Sequence, residues 1–153
     1  MARPTGIKII AANRKARHFY ELLEFIEAGI VLTGSEVKSL REGRVNFMDG
    51  YARITDGEAF LSGVHISPYA NAGYAQHDPD RERKLLMHRR EIAGLKAKME
   101  QKGLTLVPTK MYFKDSKIKI ELALAKGKKI HDRREDLKQR AVNRDTEQEL
   151  NRY

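Results

Sequence analysis

The clearest pattern along the chain is the alternation of Ile118, Ile120, Leu122 and Leu124 with Lys117, Lys119 and Glu121. A period of two marks a strand with one dry and one charged face. It reads as the return strand of a hairpin whose first strand carries Lys110, Tyr112 and Lys114 on one face and Met111 and Phe113 on the other. A second hairpin is predicted at Asp56-Gly57, the favoured chemistry of a two-residue type I′ turn, between Tyr51 to Thr55 and Glu58 to Val64.

Helical spacing appears three times. After a short apolar stretch from Ile7 to Ala12, Asn13 can cap a helix with Ala16, Phe19, Tyr20, Leu23 and Ile26 three to four residues apart, ended by Gly29. A buried strand follows from Ala28 to Leu32, and Ser35 then caps a short helix through Val37 and Leu40 that Gly43 terminates. The third helix places Leu85, Ile92, Leu95 and Met99 on one face, with Arg89, Arg90, Lys96 and Lys98 elsewhere, and ends at Gly103. Between them, Ser67 to Asp80 is rich in Pro, Asn, Gly and Asp, carries Tyr69 and Tyr74, and has no period, as expected of a functional or disordered loop. About six short strands interleaved with three helices predict an α+β fold built on a small antiparallel OB-like β-barrel.

From Gly127 onward the pattern fails. This segment has 14 charged residues in 27, and its only large aliphatics are Ile130, Leu137, Val142 and Leu150. It cannot bury enough surface to fold alone. The predicted organisation is therefore a barrel over residues 1–126 and a tail over 127–153, disordered when free. Composition favours a solubilising extension. Against that, Ile130, Leu137 and Ala141 would share one side of a helix while Lys128, Arg133 and Arg140 spread around it, as in a segment that folds on RNA.

Charge narrows the function. Among 153 residues, 30 Lys and Arg against 21 Asp and Glu give a net charge of +9, of which +7 lies on residues 1–126. The first twenty residues hold Arg3, Lys8, Arg14, Lys15 and Arg17 and no acid. A polyanion partner is implied. Cations interleaved with an aromatic on the hairpin, namely Lys110, Tyr112, Lys114, Lys117 and Lys119, suit an RNA-binding barrel, where cations track phosphates and rings stack on bases. The alternative is an ordinary solvated face. Glu27 would lie in the last turn of the first helix, where a carboxylate meets the negative end of the dipole at a cost of about 0.3 to 1 kcal/mol. It should have a partner, either an internal arginine or a donor on RNA such as a base amino group or 2′-hydroxyl.

Other chemistry is poorly supported. The chain has no cysteine, which excludes disulfides, thiol catalysis and cysteine-bearing metal sites. It has no glycine-rich nucleotide-binding run and no serine elbow, and no two of its histidines, His18, His65, His77, His88 and His131, stand at metal-ligand spacing. His77-Asp78-Pro79-Asp80 could form a metal loop, but reads better as an Asp-Pro turn in which Asp80 caps the next helix. No enzyme, metal or cofactor is expected. The longest uncharged stretch, Ala59 to His77, is too polar for a membrane span, and the N-terminus lacks signal-peptide form, so a cytoplasmic protein is expected.

Five blocks in order, N-R-K-A-R-H-F-Y at 13–20, E-A-G-I-V-L-T-G-S-E-V-K-S-L-R at 27–41, D-G-E-A-F-L at 56–61, R-K-L-L at 83–86 and A-K-G-K-K-I-H-D-R-R at 125–134, resemble the SmpB family of tmRNA-binding proteins. The resemblance implies a ribosome-rescue factor that binds the tRNA-like domain of tmRNA and promotes its alanylation. It also implies passage with elongation factor Tu into stalled ribosomes, with small-subunit rRNA, the decoding centre and the mRNA channel as further partners of a monomeric protein. By motif position it places tmRNA contacts on Glu27, Leu86 and Lys119, beside the candidate RNA residues Arg14, Lys15, Arg17, Tyr20, Lys110, Tyr112 and Lys117. It places decoding-centre contacts on Gly127, His131, Asp132, Arg133 and Arg134, with Lys128 and Lys129 beside them. The main alternative is a general OB-type rRNA-binding or ribosomal protein. The chain departs from the family pattern in having Arg133 where lysine is usual, Ile26 where an aromatic is usual, and a less basic last thirteen residues.

Overall fold

The structure is a computed structural model that describes residues 6–127. The predicted tail, with Lys128, Lys129, His131, Asp132, Arg133 and Arg134, lies outside the described residues. The elements run β1 (Ile7–Ala12), α1 (Arg14–Phe19), β2 (Tyr20–Ile30), α2 (Gly34–Arg41), β3 (Val45–Asn46), β4 (Tyr51–Thr55), β5 (Glu58–Ser62), β6 (His65–Ile66), β7 (Arg83–Leu86), α3 (Arg89–Lys102), β8 (Thr105–Lys114) and β9 (Lys117–Gly127).

Six strands close a ring in the order β8, β4, β5, β7, β2, β9 and back to β8, all neighbours antiparallel. The ring is uneven. β2 and β9 pair from Tyr20–Gly127 to Gly29–Lys119, whereas β4 meets β8 only at Ala52–Leu106. β1 lies outside the ring on the edge of β8 that β4 leaves free, and β3 and β6 form a separate two-stranded sheet. The α+β barrel with three helices is as expected. The inward row of β9, Ile120, Leu122 and Leu124, is fully buried among Leu61, Leu85, Leu106 and Met111, while Ile92 and Leu95 of α3 pack against the same core. Asp56 and Gly57 take φ of +52° and +75°, the left-handed pair that a type I′ turn requires and that glycine adopts without strain.

Several local expectations are corrected. The first helix is only six residues long. Asn13 caps it as predicted, accepting from the Ala16 amide, but from Tyr20 the chain is strand, and the predicted strand at Ala28 to Leu32 is the end of that same β2. The cause of the misreading is a β-bulge between Leu22 and Glu24. The bulge puts Leu22 on the opposite face from Ile26, Ala28 and Ile30, so hydrophobic residues occupy both faces of β2 and no single alternation runs through it. Glu27 therefore sits mid-strand, with no helix dipole beside it.

The cap of α2 is Thr33 rather than Ser35. Its hydroxyl accepts from the Glu36 amide, and the Glu36 carboxylate accepts from the Thr33 amide at 2.8 Å. Leu85 belongs to β7, and Asp80 caps no helix, since β7 follows it. Instead the Asp80 carboxylate sits 2.9 Å from His65 Nδ1, and the Asp80 amide donates to the Asp78 side chain at 3.0 Å.

Candidate nucleic-acid interface

The outer face of β8, β9 and β2 is set by register. Tyr112 lies opposite Lys119, which lies opposite Gly29, which lies opposite Leu86 of β7. One step along, Lys110 faces Glu121 and Glu121 faces Glu27. Four strands thus bring together residues from positions 27 to 121. Glu27, Gly29, Leu86 and Lys119 line one cleft of about 370 Å³, closed on its far side by Met87, His88 and Glu91 where α3 begins. Leu86 is 54% exposed there, an apolar side chain offered to solvent beside two charges.

Glu27 finds internal partners, though not the arginine considered from sequence. The Tyr112 hydroxyl donates to Glu27 Oε2, and Lys114 Nζ lies 3.2 Å from both carboxylate oxygens. The Tyr112 bond holds the Glu27 carboxyl below its ordinary range. Partial burial opposes this, and Lys114 and Lys119 reinforce it, so the group stands ionised. Tyr112 is pushed the other way, first by burial and then by its carboxylate partner. Its ring is 3% exposed, so it supports the face from beneath and offers little surface for stacking. Lys110 sits 5.7 Å from the Tyr112 ring centroid and 3.9 Å from Glu121. Lys117, opposite Lys114, carries the cationic face to the hairpin tip.

The remaining candidates lie elsewhere. Arg14, Lys15 and Arg17 are exposed on α1, which packs through Ala16 against Val107 and Ala125. Lys15, Tyr20 and Gly127 line a second cavity of about 320 Å³ with Phe19, Met48 and Asp49. Gly127 lies eight steps along β9 from Lys119, about 26 Å of strand at ~3.3 Å per residue. The basic helix and the Glu27 cleft are therefore two patches on one barrel.

The reading of 77–80 resolves in favour of structure. His77 is buried; its Nε2 donates to the Ile66 carbonyl, which can only accept, and its Nδ1 accepts from the Ser35 hydroxyl, both at 2.8 Å. A neighbouring network was missed from sequence. Glu36 and Arg83 are fully buried 2.5 Å apart, Arg81 reaches the other Glu36 oxygen at 2.6 Å, and Arg83 also donates to the Val64 and Pro79 carbonyls. The Thr33-x-x-Glu36 spacing was the available signal for Glu36; nothing local marks Arg83. No helix among the described residues is long and apolar enough to cross a membrane.

The family described as "SmpB protein" matches residues 10–152. The chain belongs to the SmpB family. It is 60% identical to the SsrA-binding protein of Oleidesulfovibrio alaskensis over 99% of this chain and 97% of that one. The SsrA-binding protein of Nitratidesulfovibrio vulgaris is 62% identical over 97% and 96% of the two chains, and that of Gloeothece citriformis 59% identical over 95% of each. Among solved structures, a chain from "tmRNA-SmpB: a journey to the center of the bacterial ribosome" is 54% identical with a TM-score of 0.66, covering 78% of this chain and 85% of that chain. The SmpB family pattern thus spans both the barrel and the segment beyond Gly127.

Proposed function

We propose that this protein binds the tRNA-like domain of tmRNA and carries it into ribosome rescue by trans-translation. The observation that carries the reading is the meeting of Glu27, Leu86 and Lys119, distant in sequence, in one cleft on a cationic face. The cleft offers an ionised acceptor, an apolar surface and a cation, which are complementary to a base or ribose donor, a base face and a phosphate. The names and settings of its SsrA-binding relatives and of the tmRNA-SmpB structure support the same partner.

Within this role the barrel promotes alanylation of tmRNA and accompanies it with elongation factor Tu, acting as a monomer. The segment from Gly127 through His131, Asp132, Arg133 and Arg134 engages the decoding centre, with Lys128 and Lys129 on nearby phosphates. The chain acts by binding and performs no chemistry itself. Affinity capture of the tagged full chain followed by RNA sequencing tests the reading. Recovery of one dominant structured RNA with an alanine-accepting end is the expected result. Broad recovery of ribosomal RNA without it would favour a general rRNA-binding protein.

A further inference from the structure

We propose that Tyr74, at the tip of the loop between β6 and β7, stacks on an unpaired base of ribosomal RNA, with Lys38 and Arg41 of α2 on the adjoining phosphates. This rests on the ribosome-rescue reading above and adds a contact on a different part of the barrel.

The loop is built to hold its tip still. At its root the Ser39 hydroxyl donates to the Ser67 carbonyl at 2.7 Å, and buried His77 bridges Ser35 and the Ile66 carbonyl. Above that, the Tyr69 amide donates to Gln76 Oε1 at 3.0 Å, and Gln76 Nε2 donates to the Tyr69 carbonyl at 2.7 Å. This clasp closes residues 70–75 into a compact tip, shaped further by a short 3-10 turn at Gly73–Ala75. Entropy that a loose loop would lose on binding is thus already lost on folding.

What the tip presents is one side chain. Tyr74 is fully exposed and has no hydrogen bond or ring contact among the described residues, so it adds no packing to the fold. Residues Pro68 to Gln76 carry no charge. The cations stand beside them: Lys38 Nζ sits 5.5 Å from the Tyr69 ring centroid at the foot of the clasp, and Arg41, three residues on, shares its helix face. Neither has a carboxylate partner among the described residues.

A flat exposed ring flanked by unpaired cations, with no acid in the tip, is complementary to single-stranded RNA. Any base has a face to lay on the ring, and its phosphates meet the ammonium and guanidinium. Position selects ribosomal RNA over tmRNA. The Glu27 cleft takes Leu86 from one end of β7, whereas the loop enters β7 at the other end, where Arg83 meets Glu36 of α2. No candidate tmRNA contact lies on α2 or in the loop.

The test measures binding of the full chain with tmRNA to purified ribosomes stalled at the end of a truncated message, and separately binding to tmRNA alone. Tyr74→Ala should weaken ribosome binding about tenfold and leave tmRNA binding within twofold. Tyr74→Phe should bind as the parent does and Tyr74→Leu should resemble Tyr74→Ala, because stacking needs the ring and not the hydroxyl. Gln76→Ala, which keeps the tyrosine but opens the clasp, should bind several-fold more weakly. A photoreactive benzoylphenylalanine at position 74 should crosslink to a ribosomal RNA nucleotide. Ribosome binding by Tyr74→Ala within twofold of the parent overturns the contact while the rescue reading stands. A crosslink to a ribosomal protein or to tmRNA overturns the choice of partner. Failure of the parent complex to bind the ribosomes removes both readings.

Discussion

The Tyr112 hydroxyl donates to the Glu27 carboxylate across β9, joining residues 85 apart in sequence on β8 and β2. A buried phenol and a surface carboxylate on the same outer face thereby form one unit. The tyrosine fixes where the acceptor points, and the carboxylate satisfies a hydroxyl that would otherwise be desolvated.

Tyr112→Phe keeps the ring and removes only this bond. Because that bond is the largest influence lowering the Glu27 pKa, the variant's Glu27 should titrate closer to its ordinary value of 4.5. Carboxyl chemical shifts against pH read this directly. RNA affinity should fall about tenfold, in keeping with a hydrogen bond to a charged group worth roughly 1.5 kcal/mol. A Phe variant with unchanged Glu27 titration would mean that the hydroxyl does not hold the carboxylate.

The buried Glu36–Arg83 pair makes acid stability a second test. Burial pushes Glu36 up, but Arg81, the Thr33 amide and Arg83 together more than offset it and leave the pKa below 4.5. A lowered folded-state value means that the stabilisation is complete above the unfolded carboxylate pKa and lost as pH falls through the folded one. Urea unfolding should show this loss as pH falls below about 4.5. Glu36→Gln leaves the Arg83 charge buried and uncompensated, so it should cost about 3 to 5 kcal/mol at pH 7. Arg81→Ala, at a side chain one-third exposed, should cost clearly less. Equal losses would contradict the assignment of Arg83 as the buried partner.

What the sequence disclosed divides along physical lines. Asp56-Gly57 and the Ile118 to Leu124 alternation were readable because a turn's dihedral demands and a strand's period are local. β2 was misread because its bulge at Leu23 broke the period, and only eleven residues of partner strand decide the matter. The cationic face followed from alternation alone. Its junction with Leu86 depended on the long-range pairing of β7 with β2, which no local pattern encodes. Glu27 and Lys119 were also legible from their local pattern, Leu86 entered through family resemblance alone, and the structure brings the three together in one cleft. The partners of Glu36 were illegible for the same reason: Arg81 and Arg83 lie 45 and 47 residues away.

Salt dependence separates the cationic contacts from the rest. Lys117 at the hairpin tip and Arg14 and Lys15 on α1 are exposed, and each should neutralise about one phosphate. Lys117→Gln should lower the log–log slope of RNA affinity against salt by about 0.7 to 0.9, with no change in base preference. Titrations between roughly 50 and 200 mM salt are sufficient to measure it. An unchanged slope would place Lys117 off the RNA path.

Gly29 offers the sharpest separation of site from fold. Its backbone is ordinary strand, so Gly29→Ala introduces no dihedral strain, and the three atoms nearest the added Cβ all belong to Leu86, the first at 3.1 Å. That distance forces a shift of a few tenths of an ångström, and Leu86, exposed on its far side, can move outward. Little stability should be lost, within about 1 kcal/mol. The slot between Leu86 and Glu27 should narrow, however, and RNA affinity should fall several-fold. Leu86→Gly in the same background removes the Cβ that the new methyl meets, so the double variant should bind no worse than Leu86→Gly alone. Additive losses in that cycle, measured by RNA titration beside urea unfolding, would show that Gly29 and Leu86 act independently and that no slot exists.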